Sequence, residues 1–214
     1  MGPSFPASEL ERLSRCLERL MPHVRQSELA ITGGVAIQFG LAEAGYAGRR
    51  TAIADLDCVA RSVDAIAPSV SEVFLVSHYH IAQPGVPKFM VQLVDPVSRI
   101  RVDVFPDLVG SLARARMVQI QTRRVQMLAL EDILEHKLLT ISKASQTSPV
   151  DPKHADDAYQ LGDVFGRRIA PVAKEHLVED VYGIDDLHCE RCELSLDPLF
   201  PLAPKPEIFN LLGW

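Results

Sequence analysis

Asp55 and Asp57 stand two apart in DLDCVA, and Asp103 lies in RIRVDVF. Residues two apart on an extended strand share a face, so the first pair projects together if DLDCVA is a strand. Two carboxylates held that close repel each other unless a cation lies between them. If Asp103 reaches them from another strand of the same sheet, three acidic groups converge on one sheet face. Hard oxygen donors of this kind suit Mg2+ or Mn2+, with water and phosphate oxygens completing the shell. The chemistry such a set supports is metal-assisted attack at phosphorus. Taken singly, each is an ordinary solvated aspartate at a strand end.

A second feature is the glycine pair Gly33–Gly34 in ITGGVAIQFG, set between an apolar residue and the opening of a helix. Such a pair serves either a plain strand-to-helix turn or a place where backbone N–H groups must approach a phosphate closely. The three aspartates favour the second use, because a reactive phosphate needs a cradle beside the cation. Other patterns carry less. His78 and His80 in SHYH would share a strand face, but no carboxylate stands near them in sequence to complete a metal site. HCERC places Cys189 and Cys192 three apart, with two residues between them, without a second pair to close a zinc site. No Gly-x-Ser-x-Gly elbow and no phosphate loop ending in Lys-Ser/Thr is present.

The elements that must position these groups follow from periodicity. SELERLSRCLERLMPHV repeats Leu10, Leu13, Leu17 and Leu20 at helical spacing, with Ser8 as the expected N-cap. VAIQFGLAEAG predicts a helix after Gly34, and PSVSEVFLVS a further one with Pro68 in its first turn. KFMVQLVD and RIRVDVF, separated by PVS, predict a hairpin turning near Pro96. In its second strand Ile100, Val102 and Val104 face one way, and Arg101, Asp103 and Phe105 the other. RRVQMLA predicts another strand. LEDILEHKLLTISKAS then repeats Leu130, Ile133, Leu134, Leu138 and Ile141 with a helical period. DPKHADDAYQLGDVF, with Asp151 as N-cap and Pro152 at the first position, and PVAKEHLVEDVYG extend the helical part. We therefore expect a mixed α/β core over residues 1–129 and a helical part over 130–214, its proline-rich tail docked by Phe200, Phe209 and Trp214.

GG, then DLD, then VDVF, followed by a helical region containing HKLL and KHADDAYQL, resemble the polymerase-β-type nucleotidyltransferase superfamily. Within it the likeness is nearest to the AbiEii-type toxin nucleotidyltransferases and related minimal enzymes, and it covers residues 28–162. The resemblance implies an α/β (α+β) fold in which a bent mixed β-sheet with flanking helices precedes a helical C-terminal part that closes the cleft. It implies that Gly33 and Gly34 form a phosphate turn. It implies that Asp55, Asp57 and Asp103 bind Mg2+ (or Mn2+) and act in catalysis. Lys137, Lys153 and Asp157 match less specific polar positions on its C-terminal helices, where the resemblance implies that they help to bind the nucleotide. On their own terms, Lys137 also reads as a surface lysine lying along apolar neighbours, and Lys153 with Asp157 as a helical ion pair. GRRT ahead of the acidic strand is a family-like flank that brings Arg49 and Arg50 toward the phosphates. The chain departs from the family in a longer stretch, LAEAGYAGRRTAIA, between the glycines and Asp55.

The activity so implied is transfer of a nucleoside monophosphate from an NTP to a hydroxyl acceptor, namely a tRNA end, a protein side chain or a small molecule. A cognate antitoxin is the partner implied by the toxin likeness. The alternative is a nucleotide-binding or interaction protein that kept the fold without catalysis. Composition bounds both readings. Lys plus Arg number 22 against 28 Asp plus Glu, a net charge of −6, which argues against a globally basic nucleic-acid binder while leaving room for a local basic patch. No apolar run reaches the roughly 18 residues of a membrane span. MGPSFPASELERLSR carries charges where a secretory signal needs an apolar stretch, so a soluble, cytoplasmic protein with no membrane partner is expected. Cys16, Cys58, Cys189 and Cys192 are too few and too irregular for a disulfide scaffold.

Overall fold

The computed structural model describes residues 5–47, 51–81 and 89–137, together with 157, 158, 160–162, 164, 210 and 211. Arg49, Arg50, Lys153, Cys189, Cys192 and the tail residues Phe200, Phe209 and Trp214 lie outside the described residues.

One mixed sheet organises the chain. Its strands are β1 (Leu29–Ile31), β2 (Asp55–Ala60), β3 (Leu75–Ile81), β4 (Phe89–Val94), β5 (Arg101–Pro106), β6 (Arg116–Ile120) and β7 (Arg123–Met127). They form a seven-stranded sheet in the order β3-β4-β5-β2-β1-β7-β6. β2 runs parallel to β5 and β1 parallel to β7, and the remaining neighbours are antiparallel. Helices α1 (Ala7–Leu20) and α2 (Gly33–Glu43) flank it, and a further helix, α3, is described over 130–137. The architecture is the expected mixed α/β sheet with flanking helices.

The apolar rows follow the register. Leu56, Val102 and Leu93 are cross-strand neighbours, as are Cys58, Val104 and Val91, and all six are fully buried. Because side chains alternate across a strand, these rows put the residues between them, Asp55, Asp57, Arg101 and Asp103, on the opposite face. α1 covers the apolar rows with Leu13, Cys16, Leu17 and Leu20. Burial, with Asp95 nearby, pushes the Cys16 thiol up to about 12, and burial holds that of Cys58 well above its ordinary value. Both stay protonated, inert core residues.

α2 is apolar apart from Gln38 and the exposed Glu43 at its end, the pattern of a helix largely enclosed by neighbours. Phe39 meets Phe5 ahead of α1, with ring centroids 6.2 Å apart. A Cβ on Gly40 would come within 2.5 Å of Leu130 Cδ2, so that glycine lets α3 press against α2. Leu130, Ile133, Leu134, Ala158 and Leu161 belong to the same apolar core as the sheet. Among the described residues no helix is long and apolar enough to cross a membrane.

Three local expectations need correction. The N-cap of α1 is Pro6, not Ser8, and no side chain caps the helix. The Pro6 carbonyl accepts from the N–H groups of Glu9 and Leu10, so the helix starts without a capping hydroxyl. PSVSEVFLVS is not a helix: a 3-10 turn spans Pro68–Glu72 and β3 begins at Leu75. The chain there gains more by pairing LVSHYHI with β4 than by continuing a turn whose interior bonds are few. Finally, β6 went unrecognised in the sequence. Its turn into β7 puts Gln121 in the left-handed region at φ 48°, a position where Gly or Asn is the usual signal.

Candidate functional site

The parallel pairing of β2 with β5 assembles the site. It sets Asp55 opposite Arg101 and Asp57 opposite Asp103, and β4 sets Gln92 opposite Asp103 on the other side. Three carboxylates and one guanidinium thus share a small patch of one sheet face. Both strands are braced at their start by α1. Glu9 accepts from the Ile53 N–H at 2.7 Å. Arg12 pairs with Glu9 and donates to the carbonyls of Ile53 and Ser98. Ile53 lies two residues ahead of the start of the acidic strand, and Ser98 ends the β4–β5 turn, so one ion pair fixes the entry of both.

Within the patch, Arg101 spans two carboxylates. Its Nη2 donates to Asp55 Oδ2 at 3.2 Å and its Nε to Asp103 Oδ2 at 3.0 Å. Asp103 is 4% exposed, and its Oδ1 is buried without a hydrogen bond of normal geometry, although the Gln92 side chain lies near enough to lower the carboxyl. Burial raises the Asp103 carboxyl above its ordinary value against the opposing pull of Arg101. Asp57 is shifted further. Burial first, then the charges of Asp55 and Asp103, push it up to about 6, with Lys137 and Arg101 only partly offsetting them.

The glycine turn closes on Asp57. The Thr32 N–H donates to the Asp57 carbonyl at 2.8 Å, which brings the next residue over the aspartate side chain. Gly33 has φ 62°, and a Cβ there would overlap Asp57 Oδ2 and lie 2.7 Å from its Cβ and Cγ. Glycine is required twice, for its backbone angle and for its missing side chain. Gly33→Ala should therefore lower stability by at least about 1–2 kcal/mol from the left-handed backbone alone, with the overlap adding to it. Chemical denaturation of the two proteins measures this, and a loss below about 0.5 kcal/mol would mean the turn adopts another conformation. Beyond it α2 opens with Thr32 as N-cap, which makes no side-chain cap, so the first-turn N–H groups and the positive end of the helix dipole receive no side-chain acceptor from it. A cleft of about 310 Å3 lies here, lined by Phe5, Gly34, Val35, Ile53 and Asp55 among others.

Lys137 and Asp157, far apart in sequence, meet at 3.1 Å and are both mostly buried. Lys137 lies close enough to Asp57 to lower its carboxyl. The helical part is thereby tied to the acidic patch. Of the residues singled out by sequence, the structure brings together Gly33, Asp55, Asp57 and Asp103, sets Gly34 beside Asp55 on the cleft wall, and places Lys137 with Asp157 at the margin. Arg101 and Gln92 were not singled out. Period two already put Arg101 on the face of Asp103, which was the available signal.

The donor set fits a divalent cation in kind: oxygen ligands, excess negative charge and a buried oxygen on Asp103 without a hydrogen bond of normal geometry. As the side chains stand, no three His, Cys, Asp or Glu among the described residues are grouped to hold a metal ion, and Arg101 lies between two of the three aspartates.

No protein-family model and no curated protein sequence matches this chain. Solved structures do. An antigenic nucleotidyltransferase-like protein from Paracoccidioides brasiliensis is 17% identical, with 88% of this chain and 98% of that one covered, at a TM-score of 0.43. The antibiotic-resistance factor ANT(2'')-Ia is 15% identical, covering 78% and 90%, at 0.49. The Megavirus polyadenylate synthase is 9% identical, covering 99% of this chain and 43% of that one, at 0.46.

Proposed function

We propose that this protein is a metal-dependent nucleotidyltransferase that moves a nucleoside monophosphate from an NTP to a hydroxyl acceptor and releases pyrophosphate. The observation that carries the reading is the β2–β5 register, which sets Asp57 beside Asp103 with Gly33 pressed against Asp57. A carboxylate cluster of that charge needs a cation, and a helix start next to it suits phosphate oxygens.

Asp55, Asp57 and Asp103 would hold Mg2+ or Mn2+, which when bound neutralises charge on the phosphates and on the entering and leaving oxygens. The opening N–H groups of α2, around Gly33 and Gly34, bind the outer phosphates. The cleft beside Gly34 and Asp55 takes the nucleotide and keeps it out of water. The acceptor oxygen forms its bond to the α-phosphorus as the bond to the bridging oxygen breaks and pyrophosphate leaves. Asp103, raised by burial and with Oδ1 lacking a hydrogen bond of normal geometry, accepts the hydroxyl proton. Lys137 and Asp157 orient the helical part over the site. Arg49, Arg50 and Lys153 remain proposed phosphate contacts, and residues 1–129 and 130–214 the proposed core and closing part.

The acceptor is a tRNA end, a protein or a small molecule. In the toxin version of this reading, for a cytoplasmic protein with a cognate antitoxin, expression without the partner slows growth of the host. A second reading, a nucleotide-binding protein without catalysis, draws on Arg101 filling the space between Asp55 and Asp103. Transfer of label separates the two. With Mg2+ or Mn2+, α-labelled NTP should label tRNA, protein or an added small hydroxyl acceptor, γ-labelled NTP should label none of them, and EDTA should abolish the signal. Binding of NTP without any transfer or pyrophosphate release would leave the second reading standing and end the first.

A further inference from the structure

Arg101 is assigned no step of the proposed transfer, yet it bonds two of the three carboxylates in the patch. Its planar fork reaches two carboxylates on two strands, Asp55 across the register and Asp103 two residues on along its own strand. We propose that Arg101 is a built-in counter-ion occupying the place of the divalent cation, and that loading of the cation displaces its guanidinium from both carboxylates. The proposal rests on the nucleotidyltransferase reading of the same site.

Three observations support it. Arg101 satisfies Asp103 Oδ2 while the buried Oδ1 has no hydrogen bond of normal geometry, with only Gln92 near it, so the guanidinium meets only part of what the carboxylate can accept. The acidic side chains are not grouped as ligands while a cationic group stands between two of them. The Arg101 side chain is 29% exposed, against 6% for that of Asp103, so the arginine has a way out to water and the aspartate does not. Lys137, the other cation beside Asp57, is committed to Asp157, which leaves Arg101 as the group a cation would replace.

A permanent structural clamp would look the same at rest but behaves oppositely when removed. A clamp holds the ligands in place, so its loss weakens cation binding. A competing counter-ion repels the incoming cation, so its loss strengthens binding. Mn2+ titration of the full chain without nucleotide, followed by electron paramagnetic resonance of the free ion, reads the sign. Arg101→Met should bind Mn2+ about tenfold tighter than wild type or more, the scale on which a charge within a few ångströms shifts occupancy of such a site, and Arg101→Lys should fall between. Wild-type binding with equal or weaker binding by Arg101→Met would overturn the proposal and leave the transferase reading intact. Absence of Mn2+ binding by every protein at millimolar concentration would end both. Should Arg101→Met fail to fold, the wild-type Arg101 Nε–H resonance gives the answer. It should move away from its carboxylate-bonded position as Mg2+ is added, and an unmoved signal at saturation would rule the displacement out.

Discussion

Asp57→Asn should cut nucleotide transfer about 100-fold or more while making the metal-free protein more stable at pH 8. The two effects have one cause. The Asp57 carboxyl is pushed up to about 6 by burial and by Asp55 and Asp103, whereas an aspartate in the unfolded chain titrates near 3.8. Between these values the folded protein binds more protons than the unfolded one, so stability falls as pH rises through that window. Above about pH 6 the full penalty is present, on the order of 2–3 kcal/mol for a shift of roughly two units. Below about pH 4 it is absent. Asparagine keeps the shape and removes the charge, so urea denaturation in EDTA should show the variant ahead of wild type at pH 8 and level with it at pH 4. The same charge is what a cation would neutralise, and its removal weakens the ligand set during turnover. Equal activity in the variant, or a stability gain independent of pH, would make Asp57 an ordinary structural residue.

The Asp55–Asp57 pair and the glycine turn were legible because their signals are local, whereas Asp103 joins them only through the β2–β5 register. DLD on a strand needs only period two to share a face, and Gly33–Gly34 needs only the following helix to look like a phosphate turn. The contact of Gly33 with Asp57 was not legible, since it depends on the end of β1 lying antiparallel to β2. Arg101 was missed for a similar reason. Its partner Asp55 is 46 positions away, and only the parallel register of β2 and β5 brings them opposite. Lys137 looked equally like a surface residue, because its helix shows nothing of Asp157, which comes from a later segment. The strand β6 lacked a turn residue that announces a hairpin. PSVSEVFLVS showed a proline suited to a helix start, while the pairing that makes its end a strand lies across the sheet in β4.

Asp57 and Asp103 face each other across the β2–β5 register, and so should act as one unit. Asp103→Asn alone should reduce transfer by a factor similar to that of Asp57→Asn, and the double variant should be little slower than either. Were the two independent, their losses would multiply to about ten-thousand-fold or more, whereas residues serving one catalytic step lose most of their benefit at the first substitution. The stability cycle should be non-additive as well. Asp103→Asn alone relieves repulsion at Asp57 but gives Arg101 a weaker, neutral acceptor, and repulsion removed once is not removed again by the second change. Single-turnover label transfer for the four proteins, run beside urea melts in EDTA at pH 8, supplies both cycles. Multiplying losses in transfer would show Asp57 and Asp103 serving separate steps, and the shared cation would have to be given up.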